Sequence, residues 1–108
     1  MKQGDGMQKI DIILKKRGEG KSTEIIKQCA ETNGYIICKD VSRACVIFNQ
    51  AKEMNLTINY PITASEFKND AYFSKNISGF YIDNIEEFFE KLTPVPVKAI
   101  SATIWENT

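Results

Sequence analysis

The chain has 108 residues, 43% of them hydrophobic and 26% charged, the balance of an ordinary globular chain with room for one modest core. One domain spanning residues 1–108 is expected. Fourteen basic and fourteen acidic residues cancel, which excludes a global basic field of the kind that holds proteins on nucleic acid, although Lys15, Lys16, Arg17 and Lys21 form a local basic patch.

In chain order, KIDIIL (9–14) is short and β-branched and predicts a strand. STEIIKQCAETNG (22–34) predicts a helix with Ile25, Ile26, Cys29 and Ala30 on one face and Asn33-Gly34 as its stop. YIIC (35–38) is an apolar run without alternation, as in a strand buried on both faces. KDVSRACVIFNQAKEMN (39–55) predicts a second helix, capped by Asp40 or Ser42, with a stripe of Ala44, Ile47, Phe48, Ala51 and Met54. LTINYPIT (56–63) predicts a third strand, limited to an edge or a short length by Pro61.

ASEFKND then reads as a short helix or turn and AYFSKNIS as a loop. GFYID (79–83) predicts a fourth strand and NIEEFFEKL (84–92) a helix with Ile85, Phe88, Phe89 and Leu92 as its apolar face. TPVP breaks that helix, and VKAISATI (97–104) predicts a fifth strand. Five strands alternating with helices predict an α/β fold, three-layered αβα, with a mainly parallel five-stranded sheet.

RGEGKST (17–23) stands between the first strand and the first helix and is one residue short of the pattern G-x-x-x-x-G-K-[ST]. Lys15 occupies the place of the first glycine. Gly18 and Gly20 leave successive backbone N–H groups, Glu19 included, free to point at an anion, and the helix start adds its positive dipole end. In that loop Lys21 would reach the β- and γ-phosphates, Ser22 would ligate Mg²⁺ and Thr23 would touch the α-phosphate. A basic loop that merely starts a helix is the plainer alternative.

A magnesium site of this kind takes an Asp at the end of a second buried strand, and Asp83 ends GFYID. Asp83 could equally cap the helix that follows it. Where hydrolysing enzymes of this kind carry a Glu beside the Asp, the chain has Asn84, which cannot take a proton from water as a carboxylate does. Glu86 and Glu87 are the candidate catalytic substitutes, lying three and four residues beyond Asp83; a solvated acidic helix face is the other account of both.

Three cysteines (29, 38 and 45) without a C-x-x-C pair read as reduced, mostly buried residues. The lack of histidine excludes Ser-His and Cys-His catalysis. No run approaches the roughly 18 apolar residues of a membrane span, and MKQGDGMQK lacks a signal-peptide core, so a cytoplasmic protein is expected.

Four segments in order resemble the first RecA-like domain of superfamily 2 helicases. GEGKST looks like motif I, and YIICKDVSRA like the segment with a P-T-R core. YIDNIE looks like a degenerate motif II, and SAT (101–103) like motif III. PITASEF stands where those enzymes carry a nucleic-acid-touching threonine. The chain is also similar to small P-loop proteins of bacteriophages. The resemblance covers about residues 9 to 104 and implies a minimal P-loop NTPase-like, RecA-like sheet with strand order 10–14, 98–103, 79–83, 35–38, 58–63. It implies that Arg43 faces a nucleic-acid strand, and that an open edge at 10–14 recruits a protein partner or a second copy.

The resulting expectation is binding of ATP, or of GTP, with Mg²⁺, and hydrolysis that is weak or needs a partner. A small phage-type regulator or inhibitor that acts by protein–protein binding and keeps a relic phosphate loop is the alternative. Nucleic acid stands as a third, less supported partner, and no membrane partner is expected.

Overall fold

The computed structural model describes residues 13, 20–69 and 78–102, with Lys21 described in its backbone only. Seven elements follow one another: helix α1 (Lys21–Ala30), strand β1 (Tyr35–Cys38), helix α2 (Val41–Glu53), strand β2 (Ile62–Thr63), helix α3 (Ala64–Lys68), strand β3 (Phe80–Ile82) and helix α4 (Ile85–Leu92). No helix among the described residues is long and apolar enough to cross a membrane.

β1 is the centre of the sheet. It pairs in parallel with β2, Ile37 opposite Ile62, and with β3, Tyr35 opposite Phe80 and Ile37 opposite Ile82, so that the order is β2-β1-β3. YIIC can take this place because its last three side chains are apolar or a thiol, while Tyr35 stays half-buried. Ile36, Ile37 and Cys38 are fully buried, and complete burial of one such isoleucine stabilises by about 1.5–3 kcal/mol. Alternate side chains go to opposite faces. Ile36 and Cys38 pack with Ile26 and Cys29 of α1 and with Ala44, Ile47 and Ala51 of α2. Ile37 packs on the other face with Ile62, Ala64 and Phe88, over which Phe67, Phe80 and Phe89 close. Helices therefore cover both faces of the sheet.

Local signals set the helix ends. Of the two candidate caps of α2, Asp40 serves, its carboxylate accepting the Arg43 N–H at 2.9 Å. Beyond Met54, the C-cap of α2, Asn55 takes φ 61°, the left-handed turn that commonly follows a helix; the next residue, Leu56, donates to the Ala51 carbonyl at 2.9 Å. Thr63 and Glu66 make a reciprocal capping box at α3. Gly34 joins α1 to β1 where a side chain has no room: a Cβ there would lie 2.6 Å from the Tyr81 ring and 2.9 Å from the Gly79 carbonyl oxygen.

The expected five-stranded, RecA-like sheet is corrected to a small α/β domain with a three-stranded parallel sheet and four helices among the described residues. Residues 97–102, the described part of the expected fifth strand, pair with no described strand and are exposed, Val97 at 45% and Ile100 at 56%. The reason lies just upstream. Thr93 turns the chain, its Oγ1 accepting the Val95 N–H at 3.1 Å, and Pro94 and Pro96 have no N–H to offer a ladder. VKAISA has the residue types of a strand, but strand propensity is realised only against a neighbour, and the turn leads the segment past α4 rather than to the sheet. The expected strand at 9–14 lies outside the described residues apart from Ile13, which packs against the α1–α2 side of the core. The third strand is also shorter than expected, since Pro61 precedes a ladder of two residues.

Candidate functional site

In a parallel sheet the carboxyl ends of the strands and the N-termini of the following helices share one edge, and ligands of open α/β sheets bind there. Here that edge carries the end of β1, the turn after β3, and the first turns of α1 and α2. Its centre is Asp83. The Asp83 N–H extends the sheet ladder by donating to the Ile37 carbonyl at 2.9 Å, which holds the residue one step past β3. Its carboxylate is buried, the side chain only 3% exposed.

Two of the described side chains meet that carboxylate. The Ser22 hydroxyl donates to Asp83 Oδ1 at 3.1 Å, joining positions 61 residues apart. The Arg43 guanidinium donates from Nε to Asp83 Oδ2 at 3.1 Å and from a terminal nitrogen to Ser22 Oγ at 2.5 Å. Arg43 is held at both ends, because its backbone N–H is the one capped by Asp40. Thr23, next to Ser22, accepts from Gln50 Nε2 of α2 at 3.0 Å. The site is thus a closed ring of a hydroxyl, a carboxylate and a guanidinium, with α1 braced on α2 beside it.

The capping alternative for Asp83 is answered by its neighbour. Asn84 is the N-cap of α4, its Oδ1 accepting from the Glu87 N–H at 3.5 Å, and it sits at φ 62°. Asn tolerates that left-handed backbone better than Glu does. This accounts locally for Asn at position 84, and it leaves both Asp83 oxygens to Ser22 and Arg43 among the described side chains.

Of the other expected site residues, Gly18 and Glu19 lie outside the described residues. Gly20 takes φ 86°, a left-handed conformation that suits glycine, and starts α1 without a side-chain cap. By contrast α2, α3 and α4 are each capped by a side chain. The first-turn N–H groups of α1, Lys21 among them, therefore face the site edge without a capping side chain. Glu87 is turned to Lys39, 3.6 Å away. Glu86 is exposed and lines, with Phe89, Pro94 and Val97, a cavity of about 380 Å³ between α4 and the C-terminal segment. That cavity shares no residue with the Asp83 ring, and no hydrogen bond brings Glu86 or Glu87 to it.

Burial raises the thiols of Cys29 and Cys38 to about 11, and for Cys38 the negative charge of Asp83 adds to the effect. Both are poor nucleophiles at neutral pH, whereas Cys45 is exposed; all three are free thiols.

The ring was legible only in part. Ser22 and Asp83 stand out through the loop and strand patterns; Arg43 as their shared partner, and Gln50 as the partner of Thr23, do not. One signal does point to Arg43. It lies in the first turn of the helix that leaves the central strand, and such a turn opens on the ligand edge of a parallel sheet.

Donor chemistry bears on the expected magnesium ion. A hydroxyl and a carboxylate 3.1 Å apart are hard oxygen donors, and Mg²⁺ uses few protein ligands, completing its shell with water and phosphate oxygens. Among the described residues no group of three or more acidic, Cys or His side chains could hold a metal without such help. Ser22 and Asp83 thus fit a nucleotide-borne Mg²⁺ better than a free-standing metal centre. In comparisons with known proteins, no protein-family model, no curated protein and no solved structure matches the chain.

Proposed function

We propose that the chain binds a nucleoside triphosphate with Mg²⁺ at the edge formed by the α1 N-terminus and Asp83. ATP is the favoured nucleotide and GTP the alternative. The observation that carries the reading is the 3.1 Å contact between Ser22 Oγ and Asp83 Oδ1. Two residues assigned to one metal from separate sequence patterns stand side by side at the sheet's ligand edge. The α1 N-terminus, without a side-chain cap, adds donors and the positive end of a helix dipole for the phosphates. Bound there, Mg²⁺ would offset phosphate charge, with Ser22 and Asp83 holding it. Hydrolysis is weak or depends on a partner, because Glu87 pairs with Lys39 and Glu86 points to a different cavity.

Calorimetry with ATP and GTP, each with Mg²⁺, on the wild type and Lys21→Ala tests this. Saturable heat with the wild type, lost in Lys21→Ala, is expected. No heat from either nucleotide refutes the reading. The alternative, a regulator acting by protein–protein binding, draws on the exposed apolar residues Val95, Val97 and Ile100, and nucleotide-independent partner binding would favour it.

A further inference from the structure

We propose that Arg43 is a built-in competitor of the divalent cation at Asp83, so that the site takes Mg²⁺ only when a bound phosphate draws the guanidinium away. This deepens the nucleotide reading and rests on it for the identity of the phosphate. The geometry is specific. Arg43 engages both oxygens assigned to the metal, Asp83 Oδ2 at 3.1 Å and Ser22 Oγ at 2.5 Å. Asp83 is buried, so the carboxylate needs a cation beside it, and among the described side chains that cation is the guanidinium. A metal ion and Arg43 cannot both hold the same two oxygens at close range, since like charges in a half-buried site repel.

The guanidinium has somewhere to go. It is about one-third exposed and stands in the first turn of α2 at the edge where the α1 N-terminus would hold phosphate. A phosphate there is a planar-fork partner for arginine. Cation and nucleotide are therefore coupled: the nucleotide removes the competitor and the metal replaces its charge on Asp83. By linkage each ligand raises the affinity for the other equally.

Mn²⁺, followed by electron paramagnetic resonance without nucleotide, serves as the probe on wild type, Arg43→Gln, Arg43→Lys and the double variant Arg43→Gln/Asp83→Asn. Arg43→Gln is expected to bind Mn²⁺ at least about fivefold tighter than the wild type, and Asp83→Asn in that background to remove the gain. Equal Mn²⁺ affinity of wild type and Arg43→Gln overturns the proposal, as does a gain that survives Asp83→Asn. Should Arg43→Gln not fold, two measurements decide the matter. Arg43→Lys keeps the charge but loses the fork and should bind Mn²⁺ more tightly than the wild type. In the wild type, which has two arginines, Arg17 and Arg43, the Arg43 Nε–H NMR signal should shift on adding ATP with Mg²⁺; an unmoved signal at nucleotide saturation overturns the proposal. The nucleotide reading fails separately, by absence of nucleotide heat, and the Mn²⁺ comparison then still decides whether Arg43 guards a cation site.

Discussion

Breaking the Arg43–Asp83 pair should cost more stability than a surface ion pair and less than a fully buried one. Removing one partner of a fully buried pair costs about 3–5 kcal/mol, whereas exposed pairs contribute about 0–1 kcal/mol. Here the Asp83 side chain is 3% exposed and that of Arg43 32%, so water screens one end only. Arg43→Met keeps the aliphatic stem but leaves the carboxylate, among the described side chains, with the Ser22 hydroxyl as its remaining donor. A loss of about 2 kcal/mol is expected from that uncompensated charge. Asp83→Asn removes the charge but keeps an acceptor and should cost about 1 kcal/mol. The double variant should be destabilised by about 1 kcal/mol less than the sum, since the second change has no partner left to orphan. For a domain of this size the Arg43→Met loss corresponds to a fall in Tm of about 8–16 °C. Urea titrations of all four proteins by far-UV circular dichroism give the cycle. Additivity within about 0.3–0.5 kcal/mol would mean that the two side chains do not interact, and the ring around Asp83 would have to be abandoned.

Gly34→Ala should destabilise by about 1–3 kcal/mol. The new Cβ would meet the Tyr81 ring at 2.6 Å, and that ring is tied through its hydroxyl to Thr32 at 3.0 Å; a change below about 0.5 kcal/mol in a denaturation curve would show that the ring gives way freely. Val97→Asp and Ile100→Asp should each change stability by less than about 0.5 kcal/mol, because both positions are exposed; a loss above about 1 kcal/mol would return residues 97–102 to the sheet. Cys29 and Cys38 have thiols raised from 9.0 to about 11 on folding. Their contribution is complete below pH 9 and lost as the pH rises to about 11, as the unfolded thiols ionise first; Cys29→Ala and Cys38→Ala melts across that window should show a shallower alkaline decline than the wild type. At neutral pH a thiol reagent should modify Cys45 alone in the folded chain, and equal rates at all three cysteines would contradict their burial.

Residues 35–38 show why much of the fold can be read directly. Four consecutive apolar residues tolerate only a place buried on both faces, and β1 is that place. The stripe of α2 is legible for the same reason, since Ala44, Ile47 and Ala51 recur with the helix period and end in the core. Residues 97–102 show the limit. Alternation and β-branched residues describe what a strand needs from its own side chains, but a strand also needs a partner edge, and the Thr93 turn withholds one.

The candidate site divides in the same way. The chain's own order makes Gly20 to Thr23 a helix start, puts Asp83 at the end of a strand-like run and offers Asp40 as a cap, because each is a local property of a few neighbouring residues; that Asn84, and not Asp83, caps α4 appears only in the structure. Which side chains share Asp83 is not local. Ser22, Arg43 and Asp83 come from three turns separated by whole helices and strands, and only the pairing of β3 beside β1, with α1 and α2 on one face, sets their mutual distances. Tertiary packing alone thus decides that the arginine stands on Ser22 Oγ and Asp83 Oδ2.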